Sequence, residues 1–120
     1  MKISAAEAVV MEALWRREPL AAEDVTSDVA AGQGWTEATV KTLINRLLKK
    51  GAIAAAKDGR RYLYRPLLAR ADYLAAESQG FLDRLFDGSL APLVSHLSQS
   101  RKLSPEDIAE LKKLIEEMKP

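Results

Sequence analysis

The 120-residue sequence contains no cysteine and a single histidine, His96. The first absence excludes a disulfide scaffold, a thiolate-held zinc or iron–sulfur centre and a cysteine nucleophile, and it suits a reducing compartment. The second leaves no His-x-x-x-His pair for a catalytic zinc. A glycine-rich phosphate loop and a Gly-x-Ser-x-Gly nucleophile elbow are also missing. No segment approaches the roughly 18 unbroken apolar residues that a membrane span requires, and Met1-Lys2-Ile3-Ser4 does not begin a signal peptide. The expectation is a cytoplasmic protein with no direct membrane association. Glu106, Asp107, Glu110, Glu116 and Glu117 read as the solvated face of a last helix rather than as paired catalytic carboxylates. The chain is therefore expected not to be an enzyme: no catalytic residue, no metal and no cofactor. There is no internal repeat and no low-complexity tract.

What is present is a folding composition. Hydrophobic residues make up 48% and charged residues 29%, too apolar for a disordered tail and enough for one compact domain, or a small domain with an appendage. The net charge of +1 hides an uneven distribution. Residues 1–35 carry −3, residues 36–66 carry +6 and residues 67–120 carry −2. The middle block holds Lys41, Arg46, Lys49, Lys50, Lys57, Arg60, Arg61 and Arg65 against only Glu37 and Asp58. Such a cation cluster is either a solvated face or an electrostatic footprint for phosphate.

Ser4-x-x-Glu7 has the form of a capping box, and Ala6, Val9, Val10, Ala13 and Leu14 follow at helical spacing, so a first helix runs to about Arg17. Glu18-Pro19 breaks it. A second helix from about Ala22 to Ala31 turns Val25 and Val29 inward and ends at Gly32-Gln33-Gly34. Thr36 is placed to cap a third helix whose inner face is Val40, Leu43, Ile44, Leu47 and Leu48, with Gly51 closing it. Ala52 to Lys57, the turn pair Asp58-Gly59, and Arg61 to Arg65 then predict a β-hairpin with arginines at its tip. Three short helices followed by a basic hairpin is the order of a winged helix-turn-helix domain, over residues 1–66.

Residues 67–120 predict a helical region: a helix from Tyr73 to Phe86, a second stripe of Leu90, Leu93, Val94 and Leu97, and a last helix opened by Ser104-Pro105-Glu106-Asp107. Short isolated helices are marginal in water, so these stripes need a partner surface. The partner is a second copy, through Phe81, Leu85, Phe86, Leu90, Leu93, Leu97, Ile108, Leu111 and Ile115, or else the chain's own winged domain. The fold class is thus mainly α with a small β-hairpin wing: a winged helix-turn-helix domain plus a C-terminal helical dimerisation region.

On the third helix the face opposite the core carries Ala38, Thr42, Asn45 and Lys49, flanked by Thr39, Lys41 and Arg46. Thr39, Lys41, Thr42, Asn45 and Arg46 are side chains of the kind that reach base edges in a major groove, and Lys49, Lys50, Arg60 and Arg61 would neutralise phosphates on either side. The predicted partner is double-stranded DNA. A winged helix can also serve as a protein-docking module, and fold alone does not choose between them.

The run from Trp35 to Gly51, with Thr39-Val40-Lys41-Thr42-Leu43-Ile44, Arg46-Leu47 and Lys49-Lys50-Gly51, resembles the recognition helix of the BlaI/MecI penicillinase-repressor family. The wing Gly59-Arg60-Arg61-Tyr62-Leu63-Tyr64-Arg65-Pro66 is similar too, as are Leu85-Phe86-Asp87-Gly88-Ser89-Leu90 and Leu103-Ser104-Pro105-Glu106-Asp107. The resemblance extends from Ile3 to about Lys119. It implies a homodimeric repressor on dyad-symmetric operator DNA, with Thr39, Lys41 and Thr42 facing bases and Thr36, Arg46, Lys50 and the wing arginines holding the backbone. It also implies release by a membrane-bound sensor protease that responds to β-lactam antibiotics and cuts the dimerisation region at an Asn-Phe bond. Counted without gaps from Gly88-Ser89-Leu90, that position is occupied here by His96 and Leu97, so the family's pair is absent. The copper-responsive branch, which carries a C-terminal cysteine motif, is excluded by the lack of cysteine.

Overall fold

The computed structural model describes residues 1–118; the last two residues of the helical region expected over 67–120 lie outside them. The order of elements is α1 (Ala5–Arg16), α2 (Ala22–Gln33), α3 (Glu37–Lys50), β1 (Ile53–Asp58), β2 (Arg61–Pro66), α4 (Arg70–Phe86), α5 (Leu90–Gln99) and α6 (Pro105–Glu117). The chain divides into two compact units, Met1–Tyr73 and Leu74–Pro120.

The first unit is a winged helix. Helix α1 starts where the sequence says it must: Ser4 Oγ accepts from the Glu7 N–H at 3.1 Å, and Glu7 Oε1 accepts from the Ser4 N–H at 2.8 Å. Helix α2 opens with half of such a box, the Ala21 N–H donating to Asp24 Oδ2 at 3.0 Å. The core joins Val10, Met11 and Leu14 of α1, Val25 and Val29 of α2, Val40, Leu43, Ile44 and Leu47 of α3, and Ile53 of β1. Met11 lies outside the stripe read from the sequence yet is fully buried, because the first helix is covered on a wider arc than one stripe. Strands β1 and β2 pair antiparallel, with Asp58 opposite Arg61. The two-residue loop is therefore Gly59-Arg60, one residue later than the expected Asp58-Gly59 turn. Gly59 takes φ +64 while Arg60 does not have positive φ, the arrangement of a type II′ turn, which wants glycine first.

Two long-range features complete this unit. Leu20, just before α2, bridges Tyr64: the Leu20 N–H donates to the Tyr64 carbonyl at 3.0 Å and the Tyr64 N–H to the Leu20 carbonyl at 2.8 Å. The wing is thereby stitched to the α1–α2 connection. Past Pro66, the Leu67 and Leu68 N–H groups both donate to the Ala52 carbonyl, at 2.8 and 3.1 Å, and Trp15 Nε1–H donates to the Leu68 carbonyl at 2.9 Å. Arg70 Nε meets Glu12 at 3.1 Å, and the Tyr73 ring lies 5.5 Å from that of Trp15. These contacts start α4 at Arg70, three residues before the predicted Tyr73, and carry the first unit through Tyr73.

In the second unit α6 begins with a full capping box, Ser104 Oγ accepting from the Asp107 N–H at 3.0 Å and Asp107 Oδ2 from the Ser104 N–H at 3.1 Å. Phe81 and Phe86 sit 5.9 Å apart, ring centre to ring centre. None of the described residues of α5 and α6 is buried, and neither is any residue of α4. An apolar groove runs between α5 and α6, lined by Leu90, Val94, Leu103, Ile108, Leu111 and Ile115 among others. No helix among the described residues is long and apolar enough to cross a membrane.

Candidate nucleic-acid interface

Helix α3 is held by both of its ends. Thr36 caps it, Oγ1 accepting from the Thr39 N–H at 3.3 Å, and Gly51 ends it at φ +76, where its N–H reaches the Leu47 and Leu48 carbonyls. A side chain at Gly51 would be strained, and the chain could not turn so sharply into β1. With Val40, Leu43, Ile44 and Leu47 buried, the opposite face has to look outward. Ala38, Thr39, Lys41, Thr42, Asn45, Arg46 and Lys49 are all exposed. Thr42 donates its hydroxyl to the Ala38 carbonyl at 3.1 Å, which leaves its oxygen and methyl group at the surface. Among the described residues, the side chains of Lys41, Asn45, Arg46 and Lys49 have no hydrogen-bond or ion-pair partner. An α-helix with one face of threonines, an amide and unpaired cations can enter a major groove, because each of those groups has free valence for base edges or phosphate.

The wing lies beside this helix. Glu37 and Lys41 of α3, Glu23 of α2, and Arg60, Arg61 and Tyr62 of the wing line one cleft. Arg60 occupies the tip of the turn and is exposed. Arg61 is engaged: its Nη1 meets Glu23 Oε1 at 3.3 Å and its Nε lies 3.7 Å from Asp58 Oδ2. Both pairs are solvent-exposed and therefore weak, so phosphate can compete for this guanidinium. Lys57 and Arg65 of the hairpin are exposed as well; the charge distribution pointed to both, and Arg65 is among the wing arginines that the resemblance places at the backbone.

Lys50 is placed differently from its neighbours. Its ammonium donates to Glu7 Oε1 and to the Lys2 carbonyl oxygen, the latter at 2.8 Å. Nothing local in the sequence marks Glu7 as more than a cap. Burial pushes its carboxyl up, but the hydrogen bond from Lys50 and those from the Ser4 backbone and hydroxyl outweigh this and hold it below the ordinary carboxylate range. A carboxylate depressed in the folded state contributes stability that is complete above its unfolded pKa, about 4.3, and is lost as pH falls through its lower folded pKa. Glu7→Gln keeps the cap, since glutamine serves in a capping box. The variant is expected to be less stable at neutral pH and to lose less stability than the parent as pH falls below about 4.3. Urea titrations at several pH values measure this; parallel pH dependences would refute it.

Over residues 3–117 the chain matches the family described as penicillinase repressor. It belongs to that family. The penicillinase repressor of Bacillus licheniformis is 34% identical, over 98% of this chain and 92% of that protein. The methicillin resistance regulatory protein MecI of Mammaliicoccus sciuri is 30% identical, over 95% of this chain and 93% of its own length. The solution structure of the monomeric form of Bacillus licheniformis BlaI in complex with the blaP half-operator superposes with a TM-score of 0.53 at 33% identity. It covers 61% of this chain and 89% of that one. The penicillinase repressor family is one of transcriptional repressors built on a winged-helix DNA-binding domain, and this member is a repressor of that kind and not an enzyme.

The dimerisation residues expected from the sequence all lie in the second unit. Phe81, Leu85, Leu90, Ile108 and Ile115 are exposed, and Phe86, Leu93, Leu97 and Leu111 are half-buried. His96 is exposed and Leu97 half-buried, both inside α5.

Proposed function

We propose that the chain is a homodimeric transcriptional repressor that acts in the cytoplasm on dyad-symmetric operator DNA. The observation that carries this reading is the outer face of α3, exposed from Ala38 to Lys49 and holding four polar or cationic side chains without partners. Helix α3 enters the major groove. There Thr39, Lys41, Thr42 and Asn45 meet base edges, while Arg46, Lys49 and the wing arginines Arg60 and Arg61 meet phosphate. Thr36 sets the register of the helix through its cap and lies close to the backbone. Two such domains read half-sites one helical turn, or a multiple of it, apart, which makes the operator an inverted repeat.

The second copy docks through the second unit. In support, its three helices bury no described residue of their own, while Leu85, Leu90 and Ile115 are each more than half exposed. Contiguous apolar surface of that kind marks an interaction site. Repression then ends when the dimer parts, because each winged domain must bind alone. A membrane-bound sensor protease of the family's kind would cut between His96 and Leu97. That bond lies in the last turn of α5, so cleavage there requires that turn to unwind first.

A mobility-shift titration against genomic fragments at two salt concentrations tests the reading. Binding should weaken steeply with salt, and Arg46→Ala should weaken it on every sequence while lowering the salt slope by about one unit, the signature of one lost phosphate contact. Absence of salt-dependent binding to any duplex would leave the winged helix as a protein-docking module.

A further inference from the structure

Glu7 is the one buried charged side chain among the described residues, 1% exposed. Its partner Lys50 has its ammonium held twice, by Glu7 Oε1 and by the Lys2 carbonyl at 2.8 Å. The pair joins the first turn of α1 to the last turn of α3, and each charge sits at the helix end that its sign favours. The neighbouring Lys49 is exposed and unpaired.

We propose that Glu7 is a positioning residue that withholds Lys50 from the nucleic acid, so that this cation seats the C-terminal end of α3 instead of gripping phosphate. The inference rests on the DNA-binding reading above and sharpens it, because both the charge pattern and the family resemblance assign Lys50 to the DNA backbone. Two physical reasons oppose that assignment. A lysine that turned toward phosphate would strand a buried carboxylate without a counter-charge, which is far more costly than an exposed phosphate contact is favourable. A lysine already neutralised by a carboxylate also brings no net charge to the DNA, so it displaces no counterion. Specificity benefits: the cations that remain free, Arg46 and Lys49, lie on the face that carries the base-reading side chains, whereas a loose Lys50 would add affinity for any sequence.

The test is the salt dependence of binding by the full-length chain to a mixed random-sequence DNA duplex, where the slope counts phosphate contacts. Lys50→Met should keep the parent slope, whereas Arg46→Ala lowers it by about one unit. Glu7→Gln, which keeps the cap but removes the lysine's counter-charge, should steepen the slope by about one unit, equivalent to about 3.5-fold more weakening between 50 and 200 mM salt. The double variant Glu7→Gln/Lys50→Met leaves no buried charge unpaired, which guards against a single variant that fails to fold, and it should return to the parent slope. A slope lowered by about one unit in Lys50→Met or in the double variant would overturn the proposal, and so would a parent-like slope in Glu7→Gln. Failure of the DNA reading itself looks different: the unaltered chain would then show no salt-dependent binding to the duplex, and the inference would fall with it.

Discussion

A chain ending at Tyr73 should remain folded and bind DNA as a monomer, with affinity for a dyad operator reduced by about 10²–10⁴-fold relative to the full-length repressor. The fold should survive because three contacts that complete the winged helix lie within that limit: Trp15 to the Leu68 carbonyl, Arg70 to Glu12, and the Tyr73 ring against Trp15. Cutting at Pro66 would remove all three. The solved complex of monomeric BlaI with a half-operator, which covers 61% of this chain, shows that a relative of comparable extent engages DNA as a single copy. With the dimer proposed above, the affinity should fall because the second half-site is no longer delivered at the high effective concentration that a linked partner supplies. Sedimentation and mobility shift on one genomic fragment would measure both properties. Full operator affinity in the truncated chain would show that the second unit does not control binding.

The other large effect should come from the inner face of α3. Leu47 is fully buried among the core residues of α1, α2 and β1. Leu47→Ala should destabilise the first unit by about 2–5 kcal/mol, the usual range for a leucine deleted from a close-packed core. In a unit of this size each kcal/mol lowers the melting temperature by about 4–8 °C, and DNA would be released at a correspondingly lower temperature. Asn45, two residues earlier on the opposite face, is exposed and unpartnered. Asn45→Ala should leave the melting temperature unchanged while costing about 1–3 kcal/mol of discrimination between the operator and its single-base variants. Thermal melts and competition binding on the same two proteins separate these outcomes. A melting-temperature loss in Asn45→Ala comparable to that of Leu47→Ala would mean that the outer face is structural.

Much of this was legible beforehand, and the reason is local. Helix starts depend on residues a few positions apart, so the Ser4-x-x-Glu7 capping box and the Ser104-Pro105-Glu106-Asp107 start signal identified two of them from sequence alone. The inner face of α3 followed from its spacing, and its outer face followed from the inner one. The hairpin was clear from the alternation of Tyr62 and Tyr64, although its turn was misplaced by one residue. Asp58-Gly59 and Gly59-Arg60 are both acceptable turn pairs, and the register with β1 chooses between them. The beginning of α4 was less visible, because Arg70 is drawn into the first unit by Glu12, 58 positions earlier in the chain.

Sequence alone was sufficient for the class of fold, the element order, the polar and basic face of α3 and the family, since all of these rest on periodicity, caps and short motifs that interact over a few residues. Tertiary structure decided which cations are free. Lys49 and Lys50 are adjacent and chemically identical, yet one is solvated and the other is bound to a buried carboxylate 43 positions away. The same holds for Arg60 and Arg61, of which only the second meets Glu23. Whether a charge is available to a partner depends on what the fold places within hydrogen-bond reach of it, and no local pattern in the chain encodes that distance.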